Sequence, residues 1–477
     1  LTFTVLLLQT VLPAFILSAL ITPLVIIFAK KINVVAHPGV RKIHKEPIAL
    51  LGGFSIYLTA ILLIPILDYL FFNYLTLSRE FIGFFVGSTM MLCLGMADDK
   101  IGLSAKEKLV FQFLAAIVVA ILGWKIQDIS LPLIHTNIKL EFMSIPLTAI
   151  WYVGVMNAFN MIDGLDGAAT GIALIALSIC AYIFNFHGQY EFMMISLVLV
   201  GALFGFLIFN FNPAKIFLGD TGSLFLGFVI ALLATKAPSL PTPQGAHFIN
   251  SCSIFVSISI LFFPLLDMAF ALIRRAAKGS GIFNPDKSHI HHKLLIHFSW
   301  NPKLCAIFIY FLGVCGALCG IMLFNRNTEG LIGSALLYAG VIAYVFQKFE
   351  YRESISKISK IQKNKTRTML YLKKMMAEKI ELVKSIDEIK RILEWTMEET
   401  ELEAIEILSE EKTYLSIGPL PIDAPHLIFP LPAIKGKLRI KFKTIEFYQA
   451  ELERDLCLQD IAQELNIALN DILKKDA

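Results

Sequence analysis

From residue 3 to residue 347 the sequence is a succession of apolar stretches separated by short polar loops. Each stretch is close to the ~20 residues that an α-helix needs to cross a bilayer. This pattern leaves few folds open, because in hydrocarbon every backbone N–H and C=O must find its partner inside the protein. About eleven such runs can be drawn, at 3–29, 49–72, 80–97, 108–124, 143–160, 165–186, 191–211, 220–236, 249–273, 303–325 and 328–347. The chain is 56% hydrophobic over 477 residues, far above a soluble protein of this size. The expected fold is therefore an all-α polytopic membrane protein with about eleven transmembrane helices over 1–347.

The chain turns polar after that. Residues 348–477 read as a second, small α+β domain: a basic helical stretch to Lys379, an acidic helical stretch around Glu388 to Glu411, strand-like runs at 413–417, 427–431 and 437–443, and a closing helix over 446–473. No catalytic constellation is visible there, and a sensory or protein-contact role is expected. The first run lacks a basic leader and a small-residue cleavage site and is followed by Lys30 and Lys31, so it reads as a retained span. Seven cysteines lie mostly within apolar runs with no Cys-x-x-Cys pair, which suggests neither a disulfide framework nor a zinc site.

Charge placement gives an orientation. Loops at 30–31, 41–45, 100–106, 215 and 274–293 are basic, whereas the alternate loops hold few cations, among them Arg79, Lys125 and Lys139. By the positive-inside rule the basic set and the tail are cytoplasmic and the N-terminus is outside. The net charge of +4 is small, and nucleic acid is not an expected partner. Residues 125–144 alternate weakly and suggest a short hairpin on the outer side.

The polar motifs all fall on the basic side. Asn157-Ala-Phe-Asn160-Met-Ile-Asp163-Gly-Leu-Asp166-Gly sits between two apolar runs, with Asn157, Asn160 and Asp163 three residues apart on one helix face. Such residues beside lipid usually face a partner or a water-filled site, though helix capping and a turn would use the same types. Asp98-Asp99 ends another run, where two adjacent carboxylates either share a cation or are simply solvated, and Lys108 opens the next run towards the same surface. Asn210 precedes Phe217-Leu-Gly-Asp220-Thr-Gly-Ser223, in which Asp220 either marks a helix start whose free N–H groups and positive dipole end favour anions or is simply the helix cap. Arg41-Lys-Ile-His44 before Gly52-Gly53 suits a phosphate clamp or contact with anionic lipid, and the glycines suit helix packing. His289-Ile-His291-His292 reads as hydrogen-bond donors to phosphate or sugar, since the oxygen-loving metals that the aspartates suggest suit imidazole poorly.

Taken together, Asp98-Asp99, the Asn157–Gly167 stretch, Asn210 with the Asp220 loop, Arg41/His44 and the histidine cluster resemble the polyprenyl-phosphate N-acetylhexosamine-1-phosphate transferases, over nearly all of 1–347. The Ser-His-Ile-His-His form is similar to the branch that uses UDP-N-acetylglucosamine (UDP-GlcNAc) for surface polysaccharide or teichoic acid linkage. Two positions depart from the family pattern: Gly102 stands where a third acidic residue often follows the aspartate pair, and Ala49 where a proline is common. The resemblance implies a Mg²⁺-dependent phosphoglycosyltransferase (Mn²⁺ as a substitute) that attaches GlcNAc 1-phosphate to undecaprenyl phosphate and releases UMP in the bacterial cytoplasmic membrane. It implies Asp220 and Asn160 as metal ligands, Asp98, Asp99 and Lys108 as catalytic groups, and Asn157, Asp163, Asp166, Asn210, Arg41, His44, His289, His291 and His292 at the substrates. A homodimer is compatible with it. The alternatives are the phospho-MurNAc-pentapeptide transferase of peptidoglycan synthesis and, in another class, an ion-coupled transporter.

Overall fold

A computed structural model describes residues 3–36, 47–72, 78–131, 136–239, 253–278, 290, 294–295, 298, 301–325, 328–348, 385–399, 402–409, 413–418, 427–432, 436–442, 463, 465–467, 469–470 and 472. Contacts divide the chain into two compact units, Leu1–Ala271 with Pro285–Phe349, and Leu272–Asn284 with Glu350–Ala477.

In the first unit the apolar runs are helices: α1 (Phe3–Lys31), α2 (Gly52–Phe72), α3 (Arg79–Ile101), α4 (Ala105–Ile121), α5 (Ser144–Ile162), α6 (Ala168–Phe186), α7 (Tyr190–Asn210) and α8 (Gly219–Lys236). After these come α9 (Ser253–Ile260), α10 (Phe262–Lys278, assigned to this unit up to Ala271), α11 (Pro302–Asn325) and α12 (Thr328–Lys348). Eight helices among the described residues are long and apolar enough to cross a membrane, nine if the bent pair α9–α10 is one span. The chain is a multi-pass membrane protein. The difference from eleven lies in α4, which stops at 17 residues, and in α12, whose described apolar part is Ile332–Tyr344. The run expected to be one span over 249–273 turns by 87° between Ile260 and Phe262. Pro264, which lacks the N–H that would have bonded the carbonyl of Ile260, stands in the first turn of α10, where that loss is tolerated.

α8 is the axis of the unit. It is apolar on all sides, so it is buried on nearly all sides, against α2, α3, α5 and α6. Helices approach it closely only where side chains are absent: a Cβ on Gly53 of α2 would strike the Gly222 backbone, and one on Gly95 of α3 the backbone of Asp220 and Thr221. α1 packs on α2 and α7, and α11 on α6 and α9.

Backbone hydrogen bonds tie the start of α2 to the start of α8. The short strands β1 (Val35–Ala36) and β2 (Ile48–Ala49) pair antiparallel across residues 37–46. Next to them Phe217 N–H donates to Ala49 O at 2.9 Å, and the N–H groups of Gly52 and Gly53 donate to Phe217 O and Leu218 O, both at 3.1 Å. The hairpin expected within 125–144 is β3 (Asp128–Leu131) paired with β4 (Thr136–Lys139).

The second unit contains α13 (Ile386–Glu399) and an antiparallel sheet of β5 (Leu402–Ser409), β6 (Thr413–Ile417), β7 (Leu427–Leu431) and β8 (Gly436–Phe442), ordered β6-β5-β8-β7. α13 packs on β5 and β6. The acidic helix expected to reach Glu411 ends at Glu399, and 402–409 is a strand instead. Its Ile405-Glu406-Ile407 alternation buries both isoleucines, which outweighs the helix propensity of its glutamates. The basic stretch to Lys379 lies outside the described residues.

Candidate active site

The ends of α3, α4, α5 and α8 meet at one end of the bundle. α3 stops because Gly102 takes a left-handed conformation (φ 70°) and returns its N–H to Asp98 O at 2.8 Å, so the departure from the family pattern at this position is a helix terminator. The turn leaves Asp98 and Asp99 in the last turn of α3. A capping box of Ser104 and Glu107 then starts α4, which puts Lys108 one turn into the helix. That hydrogen bonding, with Glu107 outside the apolar run, holds the Glu107 carboxyl below its ordinary value.

Lys108 lies between two carboxylates, its Nζ 2.7 Å from Asp98 Oδ2 and 2.9 Å from Asp220 Oδ2. The other oxygen of Asp98 accepts the Leu103 N–H at 2.6 Å. Asp99 does a different job: it accepts the N–H groups of Asp220 (2.9 Å) and Thr221 (3.0 Å) and the Thr221 hydroxyl (2.6 Å). Asp99 thus caps the first turn of α8 from another helix, where a carboxylate also meets the positive end of the helix dipole. Gly219 (φ 71°) makes this approach feasible, since a Cβ there would lie 2.5 Å from Asp99 Oδ2.

From α5, Asn160 Nδ2 donates to Asp220 Oδ1 (2.8 Å) and to Ser223 Oγ (2.9 Å). Asn157 donates to Gln112 Oε1 of α4 (2.7 Å) and to Val153 O (2.8 Å). A three-residue step turns a helix short of a full circle by about 60°, so the two asparagines face different neighbours rather than one line. Just past the end of α5, Asp163 has its carboxyl pushed well above the ordinary range, first by burial and then by the charges of Asp220, Asp99 and Asp166. Asp166 accepts Asn212 Nδ2 (2.8 Å) and Ala214 N–H (3.1 Å), fixing the loop that leads to Asp220.

Asn210 is not brought to this cluster. It is 3% exposed, with Oδ1 accepting from Thr170 (2.7 Å) and Nδ2 donating to Ile216 O (2.9 Å), so both ends of its amide belong to the scaffold. Arg41, His44, His289, His291 and His292 lie outside the described residues. Between the histidines, Ile290 is buried and its N–H donates to Asp267 of α10 at 2.8 Å.

Among the described residues no three acidic, histidine or cysteine side chains already surround a common point. The donor set nevertheless suits Mg²⁺: Asp98, Asp220, Asn160 and Asp163 offer hard oxygens.

A probable undecaprenyl-phosphate N-acetylglucosaminyl 1-phosphate transferase of Bacillus subtilis (strain 168) is 37% identical to the chain over 315 residues, 65% of the chain and 84% of the relative. The model of glycosyl transferase family 4 matches residues 81–237. The chain belongs to glycosyl transferase family 4. Further relatives are the decaprenyl-phosphate N-acetylglucosaminephosphotransferase of Mycobacterium tuberculosis (strain CDC 1551 / Oshkosh), 32% identical over 340 residues (66% of the chain, 83% of the relative), and the undecaprenyl-phosphate alpha-N-acetylglucosaminyl 1-phosphate transferase of Escherichia coli (strain K12), 29% identical over 275 residues (56% and 70%).

In this family 4 chain the matched segment runs from α3 to α8 and contains every member of the described carboxylate cluster. Four supporting residues carry weaker signals in the sequence, or none. Thr221 and Ser223 stand inside the quoted Asp220 motif and were readable as hydroxyls beside a carboxylate. Gln112, a single amide in an apolar run, gave a weaker signal. Tyr310 of α11 gave none, yet its hydroxyl donates to Gly167 O at 2.7 Å and its ring fills the space left by Gly171.

Proposed function

We propose that the chain transfers N-acetylglucosamine 1-phosphate from UDP-GlcNAc to undecaprenyl phosphate, releasing UMP at the cytoplasmic face of a bacterial membrane. The observation that carries this reading is the junction of Asp98, Lys108, Asn160 and Asp220, contributed by four helices at one end of a membrane bundle. An oxygen of the lipid phosphate attacks the β-phosphorus of UDP-GlcNAc. A new P–O bond forms while the bond to the bridging oxygen breaks, and its electron pair departs on UMP. Both reactants are anions, so the barrier is dominated by charge that the site must neutralise.

Asp220 and Asn160, with Asp98 alongside, would hold Mg²⁺, which supplies positive charge shared by the two phosphates. Lys108 brings a second cation to the diphosphate. Asp98 holds or deprotonates the lipid phosphate; since that group's second pKa is about 6, orientation matters more than proton removal. Asp99 keeps Asp220 in position through α8. Asn157, Asp163 and Asp166 shape the nucleotide side, and Arg41, His44, His289, His291 and His292 supply donors to diphosphate and sugar.

The basic loops share a side with these residues, which by the positive-inside rule supports a cytoplasmic site. An ion-coupled transporter would carry its carboxylates near mid-bilayer on broken helices, whereas these lie at the ends of continuous ones. The test uses the full chain in detergent with undecaprenyl phosphate and a panel of UDP-sugars. Mg²⁺-dependent UMP release from UDP-GlcNAc, stopped by EDTA, is expected; absence of UMP with every sugar would remove the proposal.

Tyr310 offers a second prediction. Tyr310→Phe deletes the hydroxyl that steadies Gly167, next to Asp166. It should cost about 1 kcal/mol of stability and raise the KM for UDP-GlcNAc more than it lowers kcat. A KM equal to that of the parent, from initial rates, would show that the loop holds its place without the tyrosine.

A further inference from the structure

The hydrogen-bond partners in the cluster fall into two kinds. Those of Asp99 include two backbone N–H groups at the start of α8 and cannot leave without undoing that helix. Those of Asp98 Oδ2 and Asp220 Oδ2 sit on one ammonium, at the tip of a flexible four-carbon side chain that is 23% exposed. Asn160 is also free to exchange. Its amide points Nδ2 at Asp220 and at Ser223 Oγ, and rotation by half a turn would present Oδ1 instead. Ser223 survives the rotation with its bond intact, because a hydroxyl that accepts can also donate.

We infer that Lys108 is a resident counter-ion which a divalent cation displaces from Asp220, so that metal and ammonium compete for one carboxylate. This deepens the metal-dependent reading above and rests on it. Asp98 and Asp220 lie on different helices, and their like charges would drive the ends of α3 and α8 apart if nothing positive stood between them. Lys108 supplies that charge when metal is absent. A divalent cation at Asp220 would supply more and would repel the ammonium, freeing it to meet an anionic diphosphate. Lys108 would then move between two partners, which a residue that only binds substrate need not do.

The test needs no substrate and no turnover. Mn²⁺ is titrated into the full-length, detergent-solubilised chain and free Mn²⁺ is read by electron paramagnetic resonance. Lys108→Met, which removes the competing charge, should bind Mn²⁺ about tenfold more tightly than the parent. Lys108→Arg, which keeps the charge, should stay close to the parent. In EDTA the Lys108→Met chain should melt below the parent, and Mn²⁺ should raise its Tm by more. If Lys108→Met does not fold, Lys108→Gln repeats the comparison with a neutral side chain that can still hydrogen-bond. Equal or weaker Mn²⁺ binding by the neutral variants overturns the exchange and leaves metal binding intact. No Mn²⁺ binding by parent or variants overturns the metal reading as well.

Discussion

Asp220→Asn should lower the rate of UMP release from UDP-GlcNAc by about 10²- to 10³-fold while leaving the fold in place. The geometry separates the two effects. Asp220 receives Lys108 on one oxygen and Asn160 on the other, and an asparagine keeps one oxygen for either of them. Its backbone N–H, held by Asp99, is untouched by the change. What disappears is a negative charge at the point where a cation is needed. Initial rates at saturating and at limiting Mg²⁺, paired with a melting curve, would check it. A rate within tenfold of the parent at limiting Mg²⁺ would take Asp220 out of the metal site.

The largest effect on stability is expected at a residue with no chemistry of its own. Gly53→Val places a branched side chain where α2 meets the Gly222 backbone of α8. Neither partner can yield by changing a rotamer, since the obstacle is main chain. Overpacking of this kind costs about 3 kcal/mol or more, at the upper end of what cores show. The variant should accumulate poorly in membranes and, once purified, melt well below the parent. Loss of activity should follow from displacement of the first turn of α8, so Asp220 would fail through its position. A parent-like Tm would mean that α2 and α8 can separate without penalty.

Much of this site could be read from residue types alone, for a reason visible in its surroundings. Asp98, Asp99, Asn160 and Asp220 interrupt sequence that is otherwise apolar, and an ionisable or amide group beside lipid demands a partner. The partner's identity was harder to see. That Asp99 serves the backbone of α8 whereas Asp98 serves a lysine depends on a helix contact that no local pattern encodes. Asn210 shares the composition of its neighbours and yet turns inward to Thr170, because the loop after α7 folds back on it. The bend after Ile260 was hidden by averaging, since hydropathy stays high through a break whose only local sign is Pro264. The glutamates of β5 favour a helix locally, whereas the isoleucines between them carry the strand signal. Asp267 and Tyr310 are lone polar residues on helices beyond the recognised motifs, and only their partners reveal a use.

Three main-chain hydrogen bonds, from Phe217 to Ala49, Gly52 to Phe217 and Gly53 to Leu218, join residues far apart in the chain. The start of α2 and the loop that bears Asp220 therefore share a footing, although six helices, α2 to α7, lie between them in sequence. Lengthening the chain by one residue between Ala49 and Gly52 would be felt at Asp220 as directly as an insertion beside it. Changes confined to the far ends of the same helices have no such lever.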